Sequence, residues 1–209
     1  MTKRGRYATG GVALLVAALF FSAQVVSQEK AASKPPGEQE MAEMMAKWKA
    51  LNAKGPEHEK FKDMVGNWDI EAKTWMGPDT EPVMSKGTAV CRLILDGRYV
   101  EQKYKCDFMG EQYEGLGIDG YDRIKQKHVS IWMGTDSTGI FMMEGTMDET
   151  GKVCTYYGKM DDPLTGQKDK VVKSIAREID KDTLVFEMYD NRPDVGEFKS
   201  MEMKYMRRK

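Results

Sequence analysis

No charge of one sign dominates this sequence. Its 32 lysines and arginines stand against 33 aspartates and glutamates, interspersed rather than blocked, for a formal net charge of −1. A balanced, mixed chain offers no electrostatic footprint for nucleic acid or an anionic membrane. Histidine is scarce, with His58 and His128 the two in the chain. No cysteine neighbours either of them and no G-x-S-x-G occurs, which argues against a histidine-dependent nucleophilic enzyme. The three cysteines, Cys91, Cys106 and Cys154, match no zinc spacing, and their odd number leaves at least one thiol over even where oxidation is permitted. They read as small buried hydrophobes. Past the first 27 residues no apolar run is long enough to span a membrane, so none is expected in the mature chain.

The beginning of the chain is different. Lys3, Arg4 and Arg6 precede an apolar run from Gly10 to Phe21, and Val25 and Ser27 supply the small-residue pattern a signal peptidase reads. The run, about a dozen residues, falls short of the ~20 a spanning helix needs. Residues 1–27 are therefore predicted to be a signal peptide and the mature protein to be exported, periplasmic or extracellular. Residues 28–39, "QEKAASKPPGEQ", have the composition of a disordered linker. The remainder, roughly 170 residues, fits one domain with one core.

Two periodicities divide that remainder. Met41, Met44, Met45, Trp48 and Leu51 recur three or four apart and share one face of a helix that stops before Gly55-Pro56. A second short helix starts at Pro56 and ends at Gly66, with Phe61, Met64 and Val65 as its apolar side. Residues 40–66 thus form a helical extension, in which His58 reads as solvated. Over 67–209 the pattern alternates, with turn signals every eight to twelve residues. About ten strands joined by hairpin loops without a helical crossover close most simply into an antiparallel up-and-down β-barrel.

The hairpin at Asp96-Gly97 can be tested on paper. A two-residue turn there pairs Leu93 with Val100, Ala89 with Tyr104 and Gly87 with Cys106 on one face, and Arg92 with Glu101 and Lys86 with Asp107 on the other. Apolar pairs on one side and complementary charges on the other suit a half-buried sheet. The same register sets Cys91 opposite Gln102, too far from Cys106 for a disulfide.

"GLGIDGYD" at 115–122 spells G-x-G-x-x-G with Gly115, Gly117 and Gly120. A dinucleotide cradle needs a helix N-terminus after the turn, whereas here a turn and another strand follow. These glycines read as structural, marking sharp coiling or close backbone approach in a small barrel.

The run Met64-Val-Gly-Asn-Trp-Asp-Ile, with "LDGRYVEQ", "YEGLGIDGYD", "MEGTMDE", "DPLTGQ", "VFEMY" and the closing "MRRK", resembles the exported bacterial proteins of domain-of-unknown-function family 1579. The likeness runs over most of Pro56 to Lys209. It implies a calycin-like barrel with Gly66-x-Trp68 on the first strand, as in lipocalins, and no catalytic residues. Trp68 then reads as a structural plug at the closed end, with Arg207 or Arg208 over its ring.

A four-residue loop over Asp180–Thr183 would set Ile179 opposite Leu184, Arg177 opposite Phe186 and Ile175 opposite Met188, placing Arg177 on the apolar face. An interior arginine can clamp a carboxylate, and a ten-strand barrel resembles the fatty-acid-binding proteins. The expected site is thus Arg177, with Tyr104 and Phe186 around an apolar or anionic lipid-like ligand and Glu144 or Glu114 as internal acids. A register slipped by one residue would instead leave Arg177 solvated. Two alternatives stand beside ligand binding: a solid-core interaction or stress-associated protein that docks an unspecified partner through its N-terminal helix, and an enzyme using buried acids such as Glu114, Asp119 and Glu144. No catalytic residue, metal or cofactor is expected. Adjacent methionines such as Met142 and Met143 point to opposite faces of a strand and make a poor copper chelate. His128 as a haem ligand would require the pattern of a haem-binding calycin-like family, which has a G-x-G after the tryptophan motif that this chain lacks.

Overall fold

The structure, a computed structural model, describes residues 36–162 and 165–209. The signal-peptide reading of 1–27 lies outside the described residues, as does most of 28–39. The chain divides into two units, Met1–Met41 and Ala42–Lys209. Of the first, residues 36–41 are described, and from Glu38 they open helix α1, Glu38–Leu51. That helix begins two residues inside the stretch read as linker. Met41, Met44, Met45, Trp48 and Leu51 are all exposed.

In the second unit, α2 (Pro56–Glu59) runs into a 3-10 turn over Lys60–Met64. Pro56 suits the first turn because its missing N–H would have had no partner there. His58, expected in solvent, is buried. Its Nδ1 accepts a hydrogen bond from Gly55 N at 3.1 Å, and its ring meets Phe61 and Tyr121 edge-on at 5.8 and 6.1 Å. Capping the helix folds the imidazole back onto the barrel.

Ten strands follow among the described residues: β1 Gly66–Thr74, β2 Val83–Ile94, β3 Tyr99–Phe108, β4 Glu111–Asp122, β5 Lys127–Gly134, β6 Phe141–Met147, β7 Val153–Met160, β8 Lys170–Asp180, β9 Thr183–Arg192 and β10 Gly196–Arg207. Each pairs antiparallel with its sequence neighbour, and β1 closes on β10. This is the antiparallel up-and-down barrel that alternation and turn spacing predict. Along β3 the inward residues Val100, Gln102, Tyr104 and Cys106 are buried while Lys103, Lys105 and Asp107 are exposed.

The β2–β3 hairpin pairs Leu93 with Val100, Cys91 with Gln102, Ala89 with Tyr104 and Gly87 with Cys106, the register derived from the turn. Arg92 meets Glu101 at 2.8 Å. Left-handed backbone extends over Leu95, Asp96 and Gly97, so the loop is longer than two residues.

Trp68 is 1% exposed and closes the end of the barrel that carries the β2–β3 hairpin. Its indole N–H donates to Met64 O at 3.0 Å. Of the two candidate arginines, Arg207 lies over its ring, 4.1 Å from the centroid. The same guanidinium donates to Val65 O (2.7 Å), Asp63 O (2.5 Å) and Lys181 O (3.2 Å) and pairs with Asp182 at 3.2 Å. It passes over Gly66, whose φ of +139° and lack of a Cβ both matter: a Cβ would sit 2.8 Å from the guanidinium.

The packed core is lopsided. Phe61, Trp68, Ile70, Ala72, Ala89, Cys91, Val100, Tyr104, Cys106, Met203 and Tyr205 form one cluster on β1, β2, β3, β10 and the 3-10 turn. Inward residues elsewhere, such as Trp132, Ala176, Phe186 and Met188, keep accessible surface, and that surface faces a cavity.

The glycines keep the cavity open. Gly115 and Gly117 on β4 lie beneath the indole of Trp132: a Cβ on Gly115 would collide with the ring, and one on Gly117 would sit 3.2 Å from it. A Cβ on Gly145 would sit 2.5 Å from the Tyr156 ring, and one on Gly87 would sit 2.6 Å from Lys105 O and 2.8 Å from the Tyr104 ring. Gly120 plays the same part on the outer surface, beneath Tyr99. Each ring therefore lies flat against a neighbouring strand. Gly115→Ala is expected to cost about 1–3 kcal/mol by overpacking and to cost much less in a Trp132→Ala background, since the clash is with that ring. Urea unfolding of the two single variants and the double variant reads the coupling directly.

Candidate functional site

The barrel encloses a cavity of about 1300 Å³ that reaches toward both ends. Ligand pockets commonly run about 300–1,000 Å³, so the space exceeds what one small molecule needs. Its walls come from alternate residues of the strands, among them Tyr104, Trp132, Met143, Phe186 and Met203. Trp132 is held by its N–H donating to Tyr113 Oη at 2.8 Å, and Tyr104 stands 5.9 Å from Tyr113 and 6.1 Å from Trp132, centroid to centroid. The three rings form an aromatic corner.

Among these apolar walls sits Asp119. β4 turns it inward opposite Val100 of β3 and Ser130 of β5, and it lines the cavity. Its accessible surface is cavity surface, so the carboxyl is deep within the barrel without being sealed off. Burial drives its pKa up from 3.8 to about 6, and the Ser130 hydroxyl, donating to the carboxylate, pulls it partly back. Cys91, Cys154, Tyr156 and Tyr205 lie within its electrostatic reach. All four are uncharged at neutral pH, the two thiols because burial pushes them to about 12 and about 11 and the phenols because burial pushes them well above their ordinary value. Gln102 is committed elsewhere: its amide donates to Tyr205 Oη at 3.1 Å and accepts from the Cys91 thiol at 3.8 Å. His128, one inward position from Ser130, has its pKa lowered, chiefly by burial, and packs on Tyr121 at 5.0 Å.

The expected anchor, Arg177, touches the cavity at its rim but in a different register from the one expected. Arg177 pairs with Val185, and Phe186 with Ala176, because Ile179 bulges and the β8–β9 register slips by one residue. Arg177 therefore leaves the apolar face and meets Glu187 at 3.3 Å. Lys199 bridges Glu187 (3.1 Å) and Glu202 (2.5 Å), and Lys73 pairs with Glu202 at 3.1 Å, making an ionic chain on the outer wall. Burial works to raise the Glu187 pKa, but Lys199 and then Arg177 outweigh it and hold it low. Glu114 and Glu144 also face outward. Each sits between inward neighbours, Tyr113 and Gly115 in one case and Met143 and Gly145 in the other, and they pair with Lys105 at 2.6 Å and with Lys125 respectively. Three scattered acids, only Asp119 of them inside, do not form the converging pair an acid–base enzyme needs. Tyr104 and Phe186 do line the cavity.

The cysteines are free and buried, and all three line the cavity. Met142 is exposed and Met143 buried, as strand alternation requires. Among the described residues no group of three or more His, Cys, Asp or Glu could hold a metal, and no helix is long and apolar enough to cross a membrane.

Two outcomes follow from this placement. A carboxyl whose pKa is raised on folding binds its proton more tightly in the native state, so its contribution to stability is full below pH 3.8 and is lost as pH rises through about 6. Asp119→Asn should therefore gain stability relative to the parent chain on going from pH 4 to pH 8, by up to about 3 kcal/mol, read by denaturant unfolding at each pH. Arg177→Ala, in contrast, should leave binding of an apolar dye unchanged in a fluorescence titration and cost about 1 kcal/mol, because Glu187 keeps Lys199 as a partner at 3.1 Å.

A search of solved structures finds the fold. The crystal structure of Rv2717c from M. tuberculosis is similar with a TM-score of 0.55 at 12% identity, covering 74% of this chain and 99% of that one. A de novo designed fluorescence-activating β-barrel has a TM-score of 0.41 at 13% identity, covering 71% and 97%. No similar sequence was found among curated proteins. The family described as "Protein of unknown function (DUF1579)" matches residues 53–207. With the α2 cap, every strand of the barrel and Asp119 inside that span, the chain belongs to the DUF1579 family.

Proposed function

We propose that this protein is a binding module for a small, mainly apolar molecule, held inside the barrel with a polar end directed at Asp119. The observation that carries the reading is the cavity itself, about 1300 Å³ walled by Trp132, Tyr104, Phe186 and Met203. A solid-core interaction protein would have no such space. Burying apolar ligand surface is favourable by about 25 cal/mol per Å², and preformed walls spare the ordering cost of binding. The anionic lipid-like ligand expected from Arg177 loses its clamp, because that guanidinium is turned to Glu187 and paired with it. An exported location, periplasmic or extracellular, belongs to the same proposal and rests on the pattern of residues 1–27.

The test is titration with Nile red, a neutral apolar fluorophore. Binding with a blue-shifted emission, lost when Gly117→Phe fills the cavity and unaffected by Arg177→Ala, is expected. Failure of Nile red, and of apolar competitors generally, to bind a folded chain would end the reading.

A further inference from the structure

Resting on that binding reading, we infer that the ligand is a cation: an apolar body bearing a protonated amine or quaternary ammonium group that sits against Asp119, with the aromatic corner of Trp132, Tyr104 and Tyr113 along its path.

Asp119 faces the cavity with a serine hydroxyl as its hydrogen-bond partner. A carboxylate in an apolar enclosure calls for a counter-charge. The groups facing it are Ser130 on β5, Cys91 on β2, Cys154 and Tyr156 on β7 and Tyr205 on β10, with His128 one inward position along β5 from Ser130. Not one supplies a cation at neutral pH. Lys170, the buried lysine of the barrel wall, is taken by Asp162 and Asp190, both at 2.8 Å, and does not line the cavity. Arg177, at the rim of the cavity away from the acidic mouth, is taken by Glu187 at 3.3 Å. The inner carboxylate is thus left for a positive charge brought from solution.

Two further features select the same sign. The Trp132 ring lies over Gly115 and Gly117, so its open face looks into the cavity one inward position from Asp119 on the same strand. Tyr104 is inclined at 55° to the Trp132 ring and at 61° to Tyr113, and aromatic faces grouped this way attract ammonium groups. The cavity's two ends also differ in charge. At the end with the β3–β4 and β5–β6 loops the charged lining residues are Glu111 and Asp136, both acidic. At the other end six bases, Lys60, Lys62, Lys152, Arg177, Lys181 and Arg207, line it beside four acids. A cation is drawn to the acidic mouth, passes the aromatic corner and reaches Asp119.

The experiment is displacement of Nile red by dodecyltrimethylammonium, dodecanol and dodecanoate, equal in tail and different in head, each below its micellar concentration at pH 7.5. The parent chain is expected to bind the ammonium at least about tenfold tighter than the alcohol, as a charge-assisted contact requires, and the carboxylate weakest. Asp119→Asn should erase the difference between ammonium and alcohol while keeping Nile red affinity. Asp119→Glu should keep the preference, and its retention shows that the loss in Asp119→Asn is loss of charge rather than of fold. Lowering the pH to 5 should shrink the preference in the parent chain and leave Asp119→Asn unmoved. Alcohol or carboxylate binding as tightly as the ammonium, or an Asp119→Asn variant that still prefers it, overturns the inference while Nile red binding leaves the binding module standing. If Nile red and all three competitors fail to bind, the binding module itself fails, and this inference with it.

Discussion

The arrangement on which the rest of this barrel depends is a ring laid on a glycine. An interior aromatic that stood upright would fill a ten-strand barrel. Trp132 instead lies across Gly115 and Gly117, Tyr156 across Gly145 and Tyr104 across Gly87, where the absent Cβ atoms make room for the rings against the wall. The walls gain large apolar area and the centre stays empty. The cost of glycine in a strand, lost conformational entropy and a missing side chain, is offset by the neighbour's ring covering the bare backbone.

Closure supplies the second half of the architecture. One end is sealed by Trp68 and Phe61 beneath the Arg207 guanidinium, which serves as a cation over the indole and as a donor to three carbonyls at once. That hub joins the last strand to the 3-10 turn and to the β8–β9 loop. The core cluster gathers at this side, so rigidity and openness are separated in space. A stiff wall on β1, β2, β3 and β10 carries the packing, and the opposite wall faces the cavity. Asp119, set deep between the ends of the cavity, stands where the two meet. Its carboxylate combines deep burial with an approach from the cavity side, and this is why the functional reading turns on it.

Much of the barrel was legible one hairpin at a time. At Asp96-Gly97 the turn chemistry and the sorting of side chains into an apolar and a charged face point to one register, and the strands adopt it. At Asp180–Thr183 the same reasoning starts from the right turn pair, Asp180 with Thr183, and fails two residues later. A bulge at Ile179 has no turn signature of its own; it bends the strand and sharpens its local twist, as the curvature of the closed wall requires. One extra residue carried Arg177 from the interior to an outer ionic chain with Glu187, Lys199 and Glu202. His58 was misread for a related reason: nothing local says that Tyr121, more than sixty positions later, will close over it.

The local signals in the chain determined the type and order of its elements, the helical lead-in, the glycine-bent strands and most of the inward faces, because alternation and turn chemistry act over a few residues. The tertiary structure alone decided which wall would be packed and which left open, that Arg207 rather than Arg208 would cover Trp68, and that Asp119 would be the acid inside while Glu114, Glu144 and Arg177 stayed out. Those outcomes turn on the phase of each strand within a closed ring, where a single bulge reverses every side chain beyond it.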